Sequence, residues 1–246
     1  MTDTGASPAA LMAPADCSPG HVVLILSGGL DSTVLGYWLR ARGSRLTMLS
    51  FDYGQRHHRR ELQQARLTAV RLTGTHRLVD LTGVAGVLSG SSLTDGSVRV
   101  PDGHYTDASM RATVVPNRNA IMLDVAVAQA VAVHADAVAF GAHAGDHPIY
   151  PDCRPEFLDA YQRTARLANE GFLAPGFSVM APFIGMSKAD IVAVGADLEV
   201  PFADTWSCYR GGVRHCGACG TCVERREAFW LAGVPDPTGY AAGEVV

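Results

Sequence analysis

His21-Val22-Val23-Leu24-Ile25-Leu26-Ser27-Gly28-Gly29-Leu30-Asp31-Ser32 decides the fold. The run from His21 to Leu26 is short and almost continuously apolar, it breaks at Ser27-Gly28-Gly29, and Ser32 to Arg42 then carries its apolar residues at helical spacing. A strand that is apolar without alternation is one buried on both faces, which happens in a parallel sheet covered by helices. The unit is therefore strand, tight loop, helix.

The same alternation continues outward. Strands are expected near 45–51, 77–81 and 137–142, and helices near 59–72, 119–134, 156–169, 188–196 and 223–232. Strands alternating with helices imply βαβ units, right-handed crossovers and a doubly wound α/β fold, a parallel sheet of Rossmann-like type with ligands at the carboxyl ends of its strands. Residues 83–115 are rich in Gly, Ser and Asp with weak periodicity, and the expectation there is a lid or an insertion. The organisation expected is a tail at 1–20 without a hydrophobic pattern, an α/β domain at 21–200, and a metal-bearing helical segment at 201–246 packed on that same domain.

With 246 residues, 48% of them hydrophobic, the chain can bury a full single core. No apolar run approaches the roughly 20 residues that span a bilayer, and the first residues lack the order of a signal peptide, so a cytoplasmic protein without membrane contact is expected. A net charge of −4 argues against stable nucleic-acid binding, which needs excess cations to displace counterions, but leaves a small anion as ligand. Arg56-His57-His58-Arg59-Arg60 is the one basic cluster, and such a run at a helix start reads as a solvated face. Of the 20 Lys and Arg residues only Lys188 is a lysine.

Between a buried strand and a helix, Ser27 to Ser32 forms a concave site where backbone N–H groups and the helix N-terminus meet an anion. Gly28 and Gly29 let the backbone approach phosphate, Ser27 and Ser32 add hydroxyls, and Asp31 acts through magnesium or as a cap. The Gly-x4-Gly-Lys-Ser/Thr loop of γ-phosphate-transferring NTPases is absent. Ser187-Lys188-Ala189-Asp190 is a capping box that puts Lys188 in the first turn of a helix, where the macrodipole disfavours a cation unless an anion lies nearby.

Asp52-Tyr53-Gly54-Gln55-Arg56-His57, Val115-Pro116-Asn117-Arg118-Asn119 and Tyr150 to Phe157 all follow strands or open helices on the ligand side of the sheet. Tyr53 suits stacking on a planar base, Gln55, Asn119 and Asp152 suit its polar edge, and Arg118 suits a carboxylate or phosphate. The competing structural readings are a capping Asn117, an Asp152 satisfied in a turn and a core Tyr53. His143 and His147, with Asp146 between them, have metal-ligand spacing that a solvated loop would explain equally well.

Cys216, Cys219 and Cys222 are spaced Cys-x2-Cys-x2-Cys, with Cys208 upstream and glycines that let the chain close around a centre. Four thiolates satisfy tetrahedral zinc in a closed, structural shell, and an iron–sulfur cluster is the rival. Cys17 and Cys153 are left over, Cys153 being either a buried small residue or a sulfur-carrying thiol.

Ser27-Gly28-Gly29-Leu30-Asp31-Ser32 matches in full the signature of the PP-loop ATP-pyrophosphatase superfamily, and with the later motifs and the cysteines the chain resembles the 7-cyano-7-deazaguanine synthase family (QueC) from about residue 21 to 240. The resemblance implies a C–N ligase that cleaves ATP to AMP and pyrophosphate and turns 7-carboxy-7-deazaguanine and ammonia into 7-cyano-7-deazaguanine. It implies one structural zinc on Cys208, Cys216, Cys219 and Cys222, ATP with magnesium as co-substrate, and a homodimer. The implied ATP contacts are Leu26, Ser27, Gly28, Gly29, Leu30, Asp31, Ser32, Thr33, Val34 and Leu35, with Ser27, Asp31, Ser32, Lys188 and Arg118 catalytic. Tyr53, Gln55, Arg118, Asn119, Asp146, Asp152 and Arg154 are the implied substrate contacts. The alternatives are a tRNA thiolase with the same phosphate loop, a diverged relative that passes the activated deazaguanine to another acceptor, and a zinc-ribbon interaction module, which would leave the phosphate loop unexplained.

Overall fold

The computed structural model describes residues 18–88, 90–104, 111–148 and 150–241. Most of the expected 1–20 tail, and Cys17 with it, lies outside the described residues.

Five parallel strands, β1 (His21–Ile25), β2 (Arg45–Asp52), β3 (Thr75–Asp80), β4 (Ala137–Ala139) and β5 (Ser178–Met180), form one sheet in the order β3-β2-β1-β4-β5. The helices are α1 (Leu30–Ala41), α2 (His58–Arg71), α3 (Arg118–Val133), α4 (Pro155–Ala168), α5 (Lys188–Asp197) and α6 (Gly220–Leu231). β1 lies between β2 and β4, with Val22 opposite both Leu46 and Ala137. The apolar run of β1 divides between two cores. Val22, Leu24 and Leu26 join residues of α1, α2, α5 and α6 on one face, and Val23 joins residues of α3 and α4 on the other. Burial on both faces is why the strand shows no alternation.

Chain order and strand order part company between β1 and β4, so the crevice beyond their carboxyl ends is the topological switch point. The Ser27 loop leaves β1 there, and Gly141 leaves β4 so close that a Cβ on it would lie 3.2 Å from the amide nitrogen of Ser32. β4 is shorter than expected, and β5 was not foreseen, because three residues carry too little periodicity to be read as a strand.

The described part of the 83–115 stretch is anchored. A 3-10 turn at Thr82–Val87 leads into residues 90–104, where Arg56 donates to the carbonyls of Asp95 and Val98 at 2.6 and 2.8 Å. Leu93 and Val100 are buried, Gly103 N–H donates to the Ala218 carbonyl at 2.8 Å, and Asp102 pairs with Arg99 and Arg210. Residues 105–110 lie outside the described residues. The C-terminal segment shares the main core: Phe202, Ala228 and Phe229 pack with Val34, Val194 and Phe183.

Candidate active site

The first turn of α1 begins at Gly29, which has no side chain to cap it. No N-cap side chain therefore competes for the N–H groups of that turn, as an anion site would need. Ser27 and Ser32 are tied to each other, Oγ to Oγ at 3.0 Å, while Ser32 Oγ accepts from the Ser27 amide at 3.2 Å and Ser27 Oγ accepts from the Gly29 amide at 3.1 Å. This holds the loop in shape before any ligand arrives. Gly28 has φ +84°, and a Cβ there would lie 2.3 Å from the Glu61 carbonyl oxygen and 2.7 Å from the Ala65 nitrogen. The glycine is thus demanded by the backbone of α2 beneath the loop, a stronger reason than phosphate approach alone.

Above the loop lies a cavity of about 220 Å³. Its wall takes Ser27, Asp31 and Ser32 from the loop, Tyr53, Gln55 and His57 from the β2 exit, Arg118 and Asn119 from the start of α3, and His143 and Asp146 from the β4 exit. Lys188 of α5 and Trp206, Ser207, Tyr209, Thr221 and Glu224 from the C-terminal segment complete it.

At one side of the cavity the Lys188 ammonium donates to Glu224 Oε2 at 2.6 Å and lies 3.5 Å from Asp31 Oδ2. Burial works against its charge, but Asp31, Glu224 and Asp146 outweigh that and hold its pKa well above the ordinary lysine value. The Ser187–Asp190 capping box is formed as the sequence predicts. His143 is buried, and its Nδ1 accepts from the Gly145 amide at 3.1 Å, which leaves the proton on Nε2, 3.6 Å from Asp146 and 4.0 Å from Asp31. Burial raises the pKa of Asp146, with His143 and Lys188 opposing. Asp31 keeps one buried oxygen, Oδ1, without a partner among the described residues.

At the other side stands Arg118. Burial works against its charge, and the phenols of Tyr53, Tyr209 and Tyr150 more than compensate, holding its pKa well above the ordinary arginine value. Tyr53 is buried, as the core reading expects, and it also lines the cavity. Gln55 also lines it, but its amide is engaged: Oε1 accepts from the Tyr53 amide at 3.0 Å, and Nε2 donates to Phe51 and Glu61. Asn117 does not cap α3 with its side chain; Asp152 does, accepting from the Asn119 amide at 3.2 Å. Asp152 and Arg154 are outside the cavity wall, Arg154 bracing the 147–148 carbonyls. Thr33, Val34 and Leu35 are buried in α1, Val34 and Leu35 in the core, and none of the three faces the cavity.

Cys153 lies at the cavity wall with its thiol accepting from Asn119 Nδ2 at 3.2 Å. Burial, with Asp146 and Asp152 adding to it, pushes the thiol well above its ordinary pKa, so the sulfur is protonated and a weak nucleophile. His57 departs from the solvated reading of the basic cluster: it is buried at the cavity wall against the Tyr209 ring, while Arg60 stays partly exposed and donates to the Gly212 carbonyl at 3.1 Å. Sequence reasoning missed Glu224, His57 and Tyr209 as cavity residues. For Glu224 the only available signal was its place two residues past the last clustered cysteine.

Cys208, Cys216, Cys219 and Cys222 bring their four sulfurs within 4.8 Å of one another. Sulfur pairs at 3.5, 3.9 and 4.0 Å match the roughly 3.8 Å edge of a tetrahedron with metal–sulfur bonds of about 2.3 Å. The amides of Ala218 and Cys219 donate to Cys216 Sγ at 3.4 and 3.2 Å, and that of Cys216 to Cys208 Sγ at 3.4 Å, as suits thiolates. The set can bind a metal ion; His143 and His147 belong to no such group among the described residues.

Residues 21–233 match the family model described as queuosine biosynthesis protein QueC. A 7-cyano-7-deazaguanine synthase of Rhizobium meliloti is 57% identical over 89% of this chain and 91% of its own length, and that of Rhizobium johnstonii is 55% identical over the same shares. Among solved structures, the U34-tRNA thiolase NcsA of Methanococcus maripaludis aligns over 92% of this chain and 78% of its own, at 16% identity and a TM-score of 0.47.

Proposed function

The chain belongs to the QueC family, and from that premise we propose that it converts 7-carboxy-7-deazaguanine, ammonia and ATP into 7-cyano-7-deazaguanine. The observation that carries the reading is that the Ser27–Ser32 loop, Lys188 and Arg118 open on one cavity. A carboxylate has no usable leaving group until its oxygen is loaded onto AMP. The substrate carboxylate therefore attacks the α-phosphorus of ATP and expels pyrophosphate. Ammonia then displaces AMP to give the amide, losing a proton. The amide oxygen attacks a second ATP, and loss of AMP and the remaining N–H protons leaves the nitrile.

In this reading the α1 N-terminus with Ser27 and Ser32 binds phosphate oxygens, and Lys188 meets the charge that builds on the departing pyrophosphate. Arg118 orients the carboxylate and Tyr53 stacks on the base. Asp146 and Asn119, both on the cavity wall, would meet the polar edge of the base, whereas Gln55, Asp152 and Arg154 would hold the loops that carry the others. Thr33, Val34 and Leu35 support the loop from the core. Magnesium would be held by Asp31, whose Oδ1 has no partner among the described residues, and would neutralise phosphate charge. The four cysteines would hold one zinc ion, structural because its shell is closed. A cytoplasmic homodimer belongs to the same proposal; no described helix is long and apolar enough to cross a membrane, and the exposed Val70 and edge-strand Leu78 are compatible with self-association, which sedimentation would measure.

A thiolase would need a reactive cysteine at the cavity, and burial, by raising the pKa of Cys153, disfavours the thiolate that such a role needs. With magnesium-ATP, ammonium and the deazaguanine acid, about two AMP and two pyrophosphate are expected per nitrile, one pair for each oxygen removed. When ATP is limiting the amide should accumulate, and supplying it should halve the ATP requirement. ADP as the main nucleotide in chromatography would overturn adenylylation.

A further inference from the structure

We infer that Glu224 is a positioning residue for the adenylylation step, acting through Lys188 and carried into the cavity by the cysteine-anchored helix. The inference rests on the reading of Lys188 given above. Lys188 has four freely rotating methylenes, and its ammonium must be held at one point to meet charge as it develops. Three carboxylates surround it, but Glu224 is the near one, at 2.6 Å against 3.5 Å for Asp31. Asp31 belongs to the phosphate loop and keeps a second oxygen without a partner among the described residues, so it has its own task there. Glu224 has no other ion-pair partner among the described residues.

What fixes Glu224 is the C-terminal segment. Cys219 precedes the first turn of α6 and Cys222 lies within it, so two of the four clustered sulfurs set the position of Glu224 two residues on. The next residue, Arg225, is fully buried and donates to the Phe202 carbonyl and to the hydroxyls of Thr205 and Ser207 at 2.9, 2.8 and 3.1 Å. The first turn of α6 is thus pinned from both sides, and the carboxylate between the pins has little freedom. Glu224 Oε1 also lies over the 143–146 turn, 3.7 Å from where a Cβ on Gly145 would be. The cysteine segment therefore reaches the reacting region through one side chain.

A double-mutant cycle tests this, with AMP release, zinc content and thermal unfolding measured for Glu224→Gln, Glu224→Asp, Lys188→Ala and Glu224→Gln/Lys188→Ala. Glu224→Gln should lower kcat for AMP formation about tenfold or more with KM for ATP changed less than about threefold, while metal content and melting temperature stay near those of the parent. Glu224→Asp, which keeps the charge, should recover most of the loss. In the Lys188→Ala background the Glu224→Gln change should cost nothing further, since its effect passes through the absent ammonium. Additive losses in the double variant, or loss of metal and stability in step with activity, would overturn the inference by returning Glu224 to a structural role. Failure of the parent enzyme to release AMP, or full activity in Lys188→Ala, would instead defeat the reading of the site on which it rests.

Discussion

Cys153 separates two chemistries that share a phosphate loop. Its thiol is buried, accepts a hydrogen bond from Asn119 and is pushed above its ordinary pKa by burial and by two neighbouring carboxylates. Cys153→Ala should therefore keep most of the rate of nitrile formation, whereas a sulfur carrier would lose all turnover; steady-state kinetics on the purified variant decide it. His21 gives a pH dependence with a definite sign. Its Nδ1 accepts from Arg45 at 2.8 Å and its Nε2 donates to Thr47 Oγ1 at 2.9 Å, so a second proton would face a guanidinium, and burial with Arg45 lowers its pKa. A base depressed in the folded state is protonated first in the unfolded one, so stability is unaffected above about pH 6.5 and falls as pH drops below it. His21→Gln should flatten that acid limb in denaturation midpoints measured between pH 7 and 5, roughly the range over which an ordinary histidine titrates. Residues of this kind were only partly legible in the sequence. Ser27, Asp31, Ser32 and Lys188 announced themselves through a motif and a cap, but His57 looked solvated because the ring that covers it, Tyr209, is some 150 residues away.

Elements were legible where periodicity was long. All six helices were expected close to where they lie, β1 was read from its continuous apolar run, and β2 from the alternation of strands and helices that follows it. β5 escaped because three residues define no period, and the 83–115 stretch read as a lid or an insertion because the groups that anchor its described part, Arg56 and Ala218, lie outside it. The contact between the phosphate loop and α2 shows how strictly elements fit at the site. A methyl group on Gly28 would meet the α2 backbone at Glu61 and Ala65, which cannot rotate away, in a conformation that L side chains rarely adopt. Gly28→Ala should lower both the folded yield and the melting temperature, by about 2 kcal/mol or more of stability from overpacking and backbone strain together. Ser27→Ala, which removes one oxygen and its two loop hydrogen bonds but creates no backbone clash, should cost much less stability than Gly28→Ala while weakening ATP use, and the contrast between the two in calorimetry separates backbone fit from phosphate binding.

At the scale of the whole molecule the cysteine cluster joins three regions that otherwise meet only at their edges. Residues 208–222 carry the sulfurs, residues 90–104 pair with them through Asp102 and Gly103, and α6 inserts Ala228 and Phe229 into the same core as β1 and α1. Three of the four cysteines are buried, so without a metal their thiols would be left in the interior with only weak hydrogen bonds. Structural zinc contributes apparent binding energies of about 10–16 kcal/mol in small peptides, comparable with the total stability of about 5–15 kcal/mol of a typical domain. On the proposed zinc reading, metal binding would be part of folding. Elemental analysis should find one zinc per chain, and chelation should lower the melting temperature by about 10 °C or more, given that each kcal/mol moves a chain of this size by roughly 2–4 °C. Cys219→Ser should reduce folded yield along with activity, because it removes a ligand from a closed shell and loosens the N-terminus of α6. The sheet should outlast the segment: partial proteolysis of the chelated protein is expected to cut first within 208–222, whose backbone is held by the sulfurs and by few strand or helix bonds of its own. Iron with sulfide in the elemental analysis, or a metal-free protein that melts like the native one, would show that the four sulfurs serve another purpose.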